Sequence, residues 1–313
     1  MGRQSSQSAS VIALALFSAA AMAVAQEPIR APETVFKVDV PLVRLLATVK
    51  DRDGELIGTL TARDFAVSDN GVRQEIAVFE HNSEQPLSIS LLLDTSGSTA
   101  KDLKYETTSV LKFLDALVRE GNARDAVSLY TFNYQVTLLD SFTRRLNRIE
   151  DHLRYVKPEG GTSLYDAIYL AAPTLRNREG RHVFVVVTDG GDTTSTKKYA
   201  DAIEAAQKAD AVVFPVVVVP ISNPAGRNTG GEHALETLAT STGGRAFYPS
   251  ASAELDRAFT DILRDLRTQY LLGYYPHGVP SGDPKFHTVH LELPRQPDLQ
   301  ISTRAGYYGD SSR

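Results

Sequence analysis

The 313-residue sequence contains no cysteine, no tryptophan and only two methionines. The lack of cysteine excludes a disulfide framework and a lipid anchor attached through a cysteine. It also removes the thiolate ligand with which proteins bind soft metals. The stability of the fold must therefore come from a conventional apolar core.

An excess of positive charge is also absent. The 33 lysines and arginines are outnumbered by 38 aspartates and glutamates, and the formal net charge at pH 7 is −5. Proteins that bind nucleic acid present a clustered basic face. We therefore expect no nucleic-acid partner.

The most apolar stretch lies at the start of the chain. Residues 1–25 combine a basic start at Arg3, an apolar stretch over residues 11–24 and a small-residue end. This is the layout of a secretory signal cleaved near Ala25. The stretch is shorter than the roughly 20 residues of a membrane span, and no later segment qualifies as one. We expect a secreted or periplasmic protein of the cell envelope without a span in its mature chain; a retained N-terminal anchor is the alternative.

The next segments predict β structure. Residues 26–35 are polar, contain two prolines and are typical of a linker. Residues 36–86 contain runs of partly alternating apolar residues, predicted as strands at 36–50, 64–69 and 72–80. Asn70-Gly71 separates the last two runs, and this dipeptide is a strong hairpin signal because both residues tolerate positive φ.

The pattern then changes to alternating strands and helices over residues 87–267, the central domain. Strands are predicted at residues 87–94, 126–132, 183–189, 211–219 and 245–248. Helical patterns occupy residues 101–119, 144–156, 164–175, 197–208, 232–241 and 253–268. Such alternation predicts a doubly wound α/β fold with a mainly parallel sheet.

After the central domain the sequence returns to strand patterns. Runs at 269–275, 286–294 and 299–308 precede a short tail, residues 309–313. Because the two ends of an inserted domain usually lie close together, we expect residues 268–308 to pair with residues 36–86. The product would be one small β-sandwich-like module; an unrelated C-terminal tail is the alternative.

Three polar loops of the central domain carry candidate chemistry. The first loop is DTSGS (residues 94–98), the second is GGTSLYD (160–166) and the third is TDGGDTTS (188–195). Any one of them is explained by a helix cap or an ordinary turn. Together they lie at strand ends and helix starts, where ligands bind in open α/β sheets. Asp166 is expected on the first turn of its helix, and Asp192 is a candidate for orienting water on a metal.

The side chains of these loops form an oxygen-rich set that suits a hard cation. Its members are Asp94, Ser96, Ser98, Thr162 and Asp189. We expect Mg²⁺, with Mn²⁺ or Ca²⁺ as alternatives. Because most of the ligands are neutral hydroxyls, the cation would keep positive charge, and a carboxylate of a protein partner could complete its coordination.

DTSGS, GGT and TDG in this order resemble the metal-ion-dependent adhesion site of von Willebrand factor A domains. The resemblance implies that Ser96, Ser98 and Thr162 are direct or switching ligands, and that Asp94 and Asp189 bind directly or through water. The flanking segments, such as STGGRAFYPS and LRTQYLLGYYP, are similar to bacterial secreted proteins with the acidobacterial-type VWFA-related domain. The molecular function of that group is poorly defined, so the resemblance predicts the architecture of the chain more than its mechanism.

Enzyme motifs are missing from the sequence. Aspartyl-phosphate phosphatases have a DxD motif, but here the residue two positions after Asp94 is Ser96. The dinucleotide-binding motif GxGxxG and the P-loop motif GxxxxGK[ST] are also absent. We therefore expect a non-enzymatic adhesion or protein-binding module. A structural envelope protein with a stabilising metal site and a metal-dependent hydrolase or phosphatase are the alternatives.

Overall fold

A computed structural model of the chain describes residues 42–81, 85–218, 229–279 and 286–309. The predicted signal (1–25) and linker (26–35) lie outside the described residues, as do residues 36–41 of the first predicted strand and 310–313 of the tail. All described residues belong to one unit, Val40–Arg313. No helix in these ranges is long and apolar enough to cross a bilayer.

The described residues form strands and helices in the following order. The strands are β1 (Val43–Lys50), β2 (Ala66–Asp69), β3 (Val72–Gln74), β4 (Val78–His81), β5 (Leu87–Asp94), β6 (Ala126–Phe132), β7 (Val136–Thr143), β8 (Arg181–Thr188), β9 (Ala211–Val217), β10 (Tyr270–Tyr274), β11 (Phe286–Glu292), β12 (Gln300–Ser302) and β13 (Gly306–Tyr308). The helices are α1 (Leu103–Glu120), α2 (Leu146–Leu153), α3 (Leu164–Arg176), α4 (Tyr199–Lys208), α5 (Thr229–Ser241) and α6 (Ser252–Thr268).

The central domain is built on a five-stranded sheet of order β7-β6-β5-β8-β9. Strands β6, β5, β8 and β9 are parallel, and every one of their residues is buried. Near-continuous apolar strands are buried in this way when helices cover both faces of the sheet. Helices α1, α2 and α6 pack on one face, and α3, α4 and α5 on the other. The predicted doubly wound α/β fold is confirmed.

Two features of this sheet differ from the sequence prediction. Strand β7 is not predicted from the sequence. It pairs antiparallel with β6 at the edge of the sheet, and only one of its residues is buried. Because so few of its residues face the core, its sequence lacks a clear apolar pattern. The strand predicted at residues 245–248 is wrong, because that segment makes only an isolated bridge between Phe247 and Val216.

Strands from both ends of the described chain form two further sheets that pack on each other, the β sandwich. Its sheets have the orders β12-β1-β10-β4 and β13-β11-β2-β3, and all their pairings are antiparallel. In the register of β1 with β10, Leu45 lies opposite Leu272. One apolar cluster contains residues of both sheets. The predicted pairing of N-terminal with C-terminal strands is confirmed.

Two predicted strands of the β sandwich are each divided between its sheets. The single strand predicted at 72–80 is β3 and β4, and the one predicted at 299–308 is β12 and β13. In both cases the chain leaves one sheet and enters the other, as strands do at sandwich corners. The predicted Asn70-Gly71 turn is confirmed, with φ values of 47° and 79°.

A buried polar network lies inside the β sandwich. Asp69 Oδ2 accepts hydrogen bonds from the hydroxyls of Tyr274 (2.9 Å) and Tyr307 (2.7 Å), and its Oδ1 lies 3.1 Å from His287 Nδ1. His287 is itself buried, with an exposed fraction of 4%. Three partners offset the cost of burying the carboxylate of Asp69.

Candidate metal site

The three polar loops meet at one edge of the central sheet. The first loop follows β5 and the third follows β8, so both begin at the carboxyl ends of neighbouring parallel strands. The amide of Gly97 donates to the carbonyl of Gly160 at 3.0 Å, which ties the first loop to the second. The amide of Thr193 donates to the carbonyl of Thr162 at 2.8 Å, which ties the second to the third.

Hydrogen bonds join four of the five predicted site residues into one chain. The amide of Ser96 donates to Asp94 Oδ1 at 2.8 Å, and the hydroxyls of Ser96 and Ser98 are 3.1 Å apart. The hydroxyl of Ser98 then donates to Asp189 Oδ1 at 3.1 Å. Oxygen ligands from the first and third loops therefore lie within one small space.

Thr162 is placed differently from the other four residues. Its amide donates to Thr193 Oγ1 at 2.8 Å, so its backbone is fixed between the second and third loops. Within the described ranges, no side-chain hydrogen bond joins Thr162 to the other predicted ligands. The structure brings Thr162 to the adjoining loop, but it does not show this side chain in contact with the chain of hydrogen bonds.

The two carboxylates of the site have pKa values above the ordinary value of an aspartate. Burial raises the pKa of Asp94 to about 6, against the opposing effect of hydrogen bonds from Thr188 and Ser96. Burial also raises the pKa of Asp189, and the negative charge of Asp102 adds to that shift. A cation between the two carboxylates would remove part of this cost, because it favours their charged forms.

A third carboxyl group, not predicted from the sequence, lies close enough to the site to be affected by the charges of Asp94 and Asp189. Glu106 on α1 is fully buried, and neither of its carboxyl oxygens has a hydrogen-bond partner among the described residues. Burial, together with the negative charges of Asp94, Asp189 and Asp102, raises the pKa of Glu106 to about 9. The sequence did contain a signal: Glu106 falls three residues after Leu103, on the buried face of the helix.

The donor set of the site fits a hard divalent cation. Its atoms are carboxylate and hydroxyl oxygens, which are the ligands of Mg²⁺ and Ca²⁺. In the part of the chain that the structure describes, no group of three or more His, Asp or Glu side chains could hold a metal ion. The candidate site contributes only two carboxylates of its own, and it depends on serine and threonine hydroxyls for the rest.

Two other acidic residues of the loops have structural roles. Asp166 lies in the first turn of α3, as predicted, and its carboxylate accepts the amide hydrogens of Thr196 (3.0 Å) and Lys197 (2.8 Å). Asp192 accepts the amide hydrogen of Tyr165 at 3.2 Å and the hydroxyl hydrogen of Ser195. Both side chains fasten the third loop to α3.

An aromatic side chain borders the second loop. A Cβ atom at Gly160 would lie 2.4 Å from Tyr134 Cδ1, so the tyrosine ring packs directly on this glycine. Gly160 also has a φ of +69°, a conformation that side chains rarely adopt. Tyr134 is 52% exposed and therefore presents an apolar surface beside the loop that carries Thr162.

Several solved structures resemble this fold. The PilB minor pilin from Streptococcus sanguinis is 16% identical, with a TM-score of 0.46, over 59% of this chain and 62% of that chain. The vWF domain of the type V pili tip protein Mfa5 from Porphyromonas gingivalis is 13% identical, with a TM-score of 0.48, over 57% and 94% of the two chains. The conserved hypothetical protein BatB from Bacteroides thetaiotaomicron is 18% identical, with a TM-score of 0.46, over 58% and 100%. The present chain thus spans less than two thirds of the length of the pilin.

Sequence comparison assigns the family. A search of curated proteins finds no match. The family model of the von Willebrand factor type A domain matches residues 88–261, which is more than half of the chain and includes all three polar loops. The chain belongs to the von Willebrand factor type A domain family.

Proposed function

We propose that this protein is an exported, non-enzymatic binding protein whose grip on a partner protein depends on a divalent cation. Mg²⁺ is the preferred ion, with Mn²⁺ and Ca²⁺ as alternatives. The ligands we propose are Asp94, Ser96, Ser98, Thr162 and Asp189. Domains of this family are commonly protein-interaction and adhesion modules. The signal-like residues 1–25 support action in the periplasm or outside the cell.

The observation that carries the proposal is the chain of hydrogen bonds from Asp94 through Ser96 and Ser98 to Asp189. It gathers two carboxylates and two hydroxyls from separate loops within hydrogen-bond distance. Neither carboxylate forms an ion pair with a described lysine, arginine or histidine, although burial raises the pKa of both. A divalent cation supplies the missing positive charge.

The surroundings of the site support contact with a partner. Asp94 and Ser96 are buried, whereas Ser98 is exposed, so one side of the site is closed to solvent and the other is accessible to a partner. A cation held largely by neutral hydroxyls attracts a further carboxylate. Tyr134, half exposed beside the second loop, adds a surface of the type enriched at binding hot spots.

The first experiment measures metal binding directly. Purified protein, stripped of metal on a chelating resin, is titrated with Mg²⁺ and Mn²⁺ by calorimetry. We expect binding to one site, its loss in Asp94→Ala, and a strong reduction in Ser98→Ala, which changes an exposed side chain. Asp115→Ala, on the exposed face of α1, is the matched control and should bind as the parent does. Equal binding by parent and Asp94→Ala would overturn the proposed site.

The second experiment tests the use of the metal. Immobilised protein is incubated with envelope extract in Mg²⁺ or in EDTA, and the captured proteins are compared between parent, Asp94→Ala and Asp115→Ala. We expect capture in Mg²⁺ by the parent and the control alone. If EDTA lowers the melting temperature but leaves capture intact, the site has a structural role. Metal-dependent turnover of phosphoester or ester substrates would instead identify a hydrolase.

A further inference from the structure

A basic cleft lies at the end of the central sheet opposite the candidate metal site. It has a volume of about 580 Å³ and lies between the central domain and the β sandwich. His182, at the start of β8, is part of its lining, whereas Asp189 follows the far end of the same strand. The cleft and the metal site are therefore separated by the length of the sheet.

The charge of the cleft is opposite to that of the whole chain. Five basic side chains line it but only one acidic side chain does, in a protein of net charge −5. The basic residues are Arg44, Arg176, Arg178, Lys208 and Arg304, and the acidic residue is Asp210. Both parts of the protein contribute basic residues to the cleft: Arg44 and Arg304 come from the β sandwich, and the others come from the central domain.

The acidic residue neutralises only part of this charge. Asp210 is shared between Arg44 (3.3 Å) and Arg304 (2.6 Å), so one carboxylate faces two guanidinium groups. The Nε atom of Arg304 is buried and has no hydrogen-bond partner among the described residues. Arg176 forms no ion pair within those residues. Lys208 pairs with Glu204 at 2.9 Å, so the positive charge that remains in the cleft is that of its arginines.

Helix geometry accounts for some of these residues but not for all. Arg176 and Lys208 lie in the last turns of α3 and α4, where the helix dipole stabilises positive charge. That explanation does not apply to Arg44 and Arg304, which lie on or beside strands of the β sandwich. Nor does it explain the unpartnered, buried Nε of Arg304.

We propose that the cleft binds a small polyanion, a molecule that carries two or more carboxylate or phosphate groups. The volume of the cleft falls within the range of roughly 300–1,000 Å³ that is typical of small-ligand sites, and such sites often lie between domains. Guanidinium groups pair with carboxylates and phosphates through two parallel hydrogen bonds, and two arginines that do not pair with Asp210, Arg176 and Arg178, line this space beside Arg44 and Arg304. The inference is independent of the metal site.

The test uses pyrophosphate and citrate as phosphate and carboxylate probes. Each is titrated by calorimetry into metal-stripped protein at fixed ionic strength, without free EDTA, because EDTA is itself a polycarboxylate. The Asp94→Ala variant is titrated in parallel, so that any binding through a metal at the other site is recognised. Acetate at matched ionic strength serves as the single-charge reference, since screening weakens every ionic contact.

We expect saturable binding of at least one probe, equal in the parent and in Asp94→Ala. Arg176→Gln should weaken that binding by about tenfold, as the loss of one charge-assisted hydrogen bond implies. Arg304→Gln, which removes a second lining charge, should also weaken binding, with circular dichroism to verify its fold. Arg119→Gln, an exposed arginine on α1, is the matched control and should bind as the parent does. The proposal is overturned if neither probe binds, if acetate binds equally well, or if Arg119→Gln weakens binding as much as Arg176→Gln.

Discussion

The hydroxyl of Thr188 donates a hydrogen bond of 2.5 Å to Asp94 Oδ2, while the amide of Ser96 donates to the other carboxylate oxygen. Thr188 is the last residue of β8, and Asp94 is the last residue of the neighbouring β5. This contact fixes the orientation of the proposed metal ligand and favours its ionised form.

The first prediction follows from that contact. Thr188→Val keeps the shape of the side chain but removes the hydrogen bond, so we expect Mg²⁺ and Mn²⁺ affinity to fall by about tenfold, as is usual for groups that orient metal ligands. Calorimetric titration measures the change. Thr188→Ser, which keeps the hydroxyl, is the control. Unchanged affinity in Thr188→Val would show that the hydrogen bond does not matter for binding.

The second prediction concerns the pH dependence of metal binding. Because burial raises the pKa of Asp94 to about 6, the metal-free site carries a proton on this group below that pH. A cation must then displace the proton, so affinity should fall by up to about tenfold per pH unit below pH 6. It should be nearly constant above pH 7. Mn²⁺ titrations between about pH 5 and pH 8 measure the profile, and a flat profile would contradict Asp94 as a ligand.

The third prediction concerns Glu106. The pKa of this group is raised from 4.5 to about 9 in the folded protein. Between these two pH values the folded protein keeps the proton of Glu106, whereas the unfolded chain has released it. The contribution of Glu106 to stability is therefore most favourable below pH 4.5 and is lost progressively as the pH rises towards 9. Glu106→Gln removes the ionisation and should raise the free energy of unfolding at pH 8 by about 2 kcal/mol or more.

Urea unfolding of the metal-free protein at several pH values tests this expectation. The difference between Glu106→Gln and the parent should shrink as the pH falls towards 4.5, because both side chains are then neutral in both states. Glu179→Gln changes a glutamate whose side chain is 92% exposed and should have little effect at any pH. A pH-independent difference for Glu106→Gln would indicate a packing effect instead.

The fourth prediction concerns the buried network of the β sandwich. Asp69→Ala removes the acceptor shared by the hydroxyls of Tyr274 and Tyr307 in the core, and it leaves the Tyr307 hydroxyl with only His287 Nδ1, at 3.2 Å. We expect a loss of about 3 kcal/mol in the free energy of unfolding, against about 1 kcal/mol for Tyr307→Phe, which removes only one donor. Urea unfolding compares the two variants. Equal losses would mean that the network does not depend on Asp69.

Local sequence signals predicted much of the fold. The apolar run of β5 and the Asn70-Gly71 turn are each specified by a few neighbouring residues, and both are found as predicted. The candidate metal ligands were predicted for the same reason, since short loop motifs identify them without knowledge of the tertiary structure. Their role as ligands stays a prediction.

Other features depend on contacts between distant segments and could not be read locally. The break between β3 and β4 reflects a change of sheet, and β7 is an edge strand with a weak apolar pattern. The local sequence marks Glu106 only by its position three residues after Leu103; its burial depends on how α1 packs, and a single glutamate in a helix usually faces solvent. The basic cleft combines Arg44 with Arg304, which lie near opposite ends of the described chain.

The β sandwich also constrains the order in which the protein can fold. Thr48 and Gln269 form a buried hydrogen bond across it, although they are 221 positions apart in sequence. A chain growing from its N-terminus makes β1 and β2 long before β10 and β11 exist, whereas the strands of the central sheet find their partners sooner. In a chain that emerges N-terminus first, the sandwich can therefore close only after the central domain has been made. Until then β1 keeps an apolar, unpaired edge, a hazard for aggregation that a fragment limited to the central domain avoids.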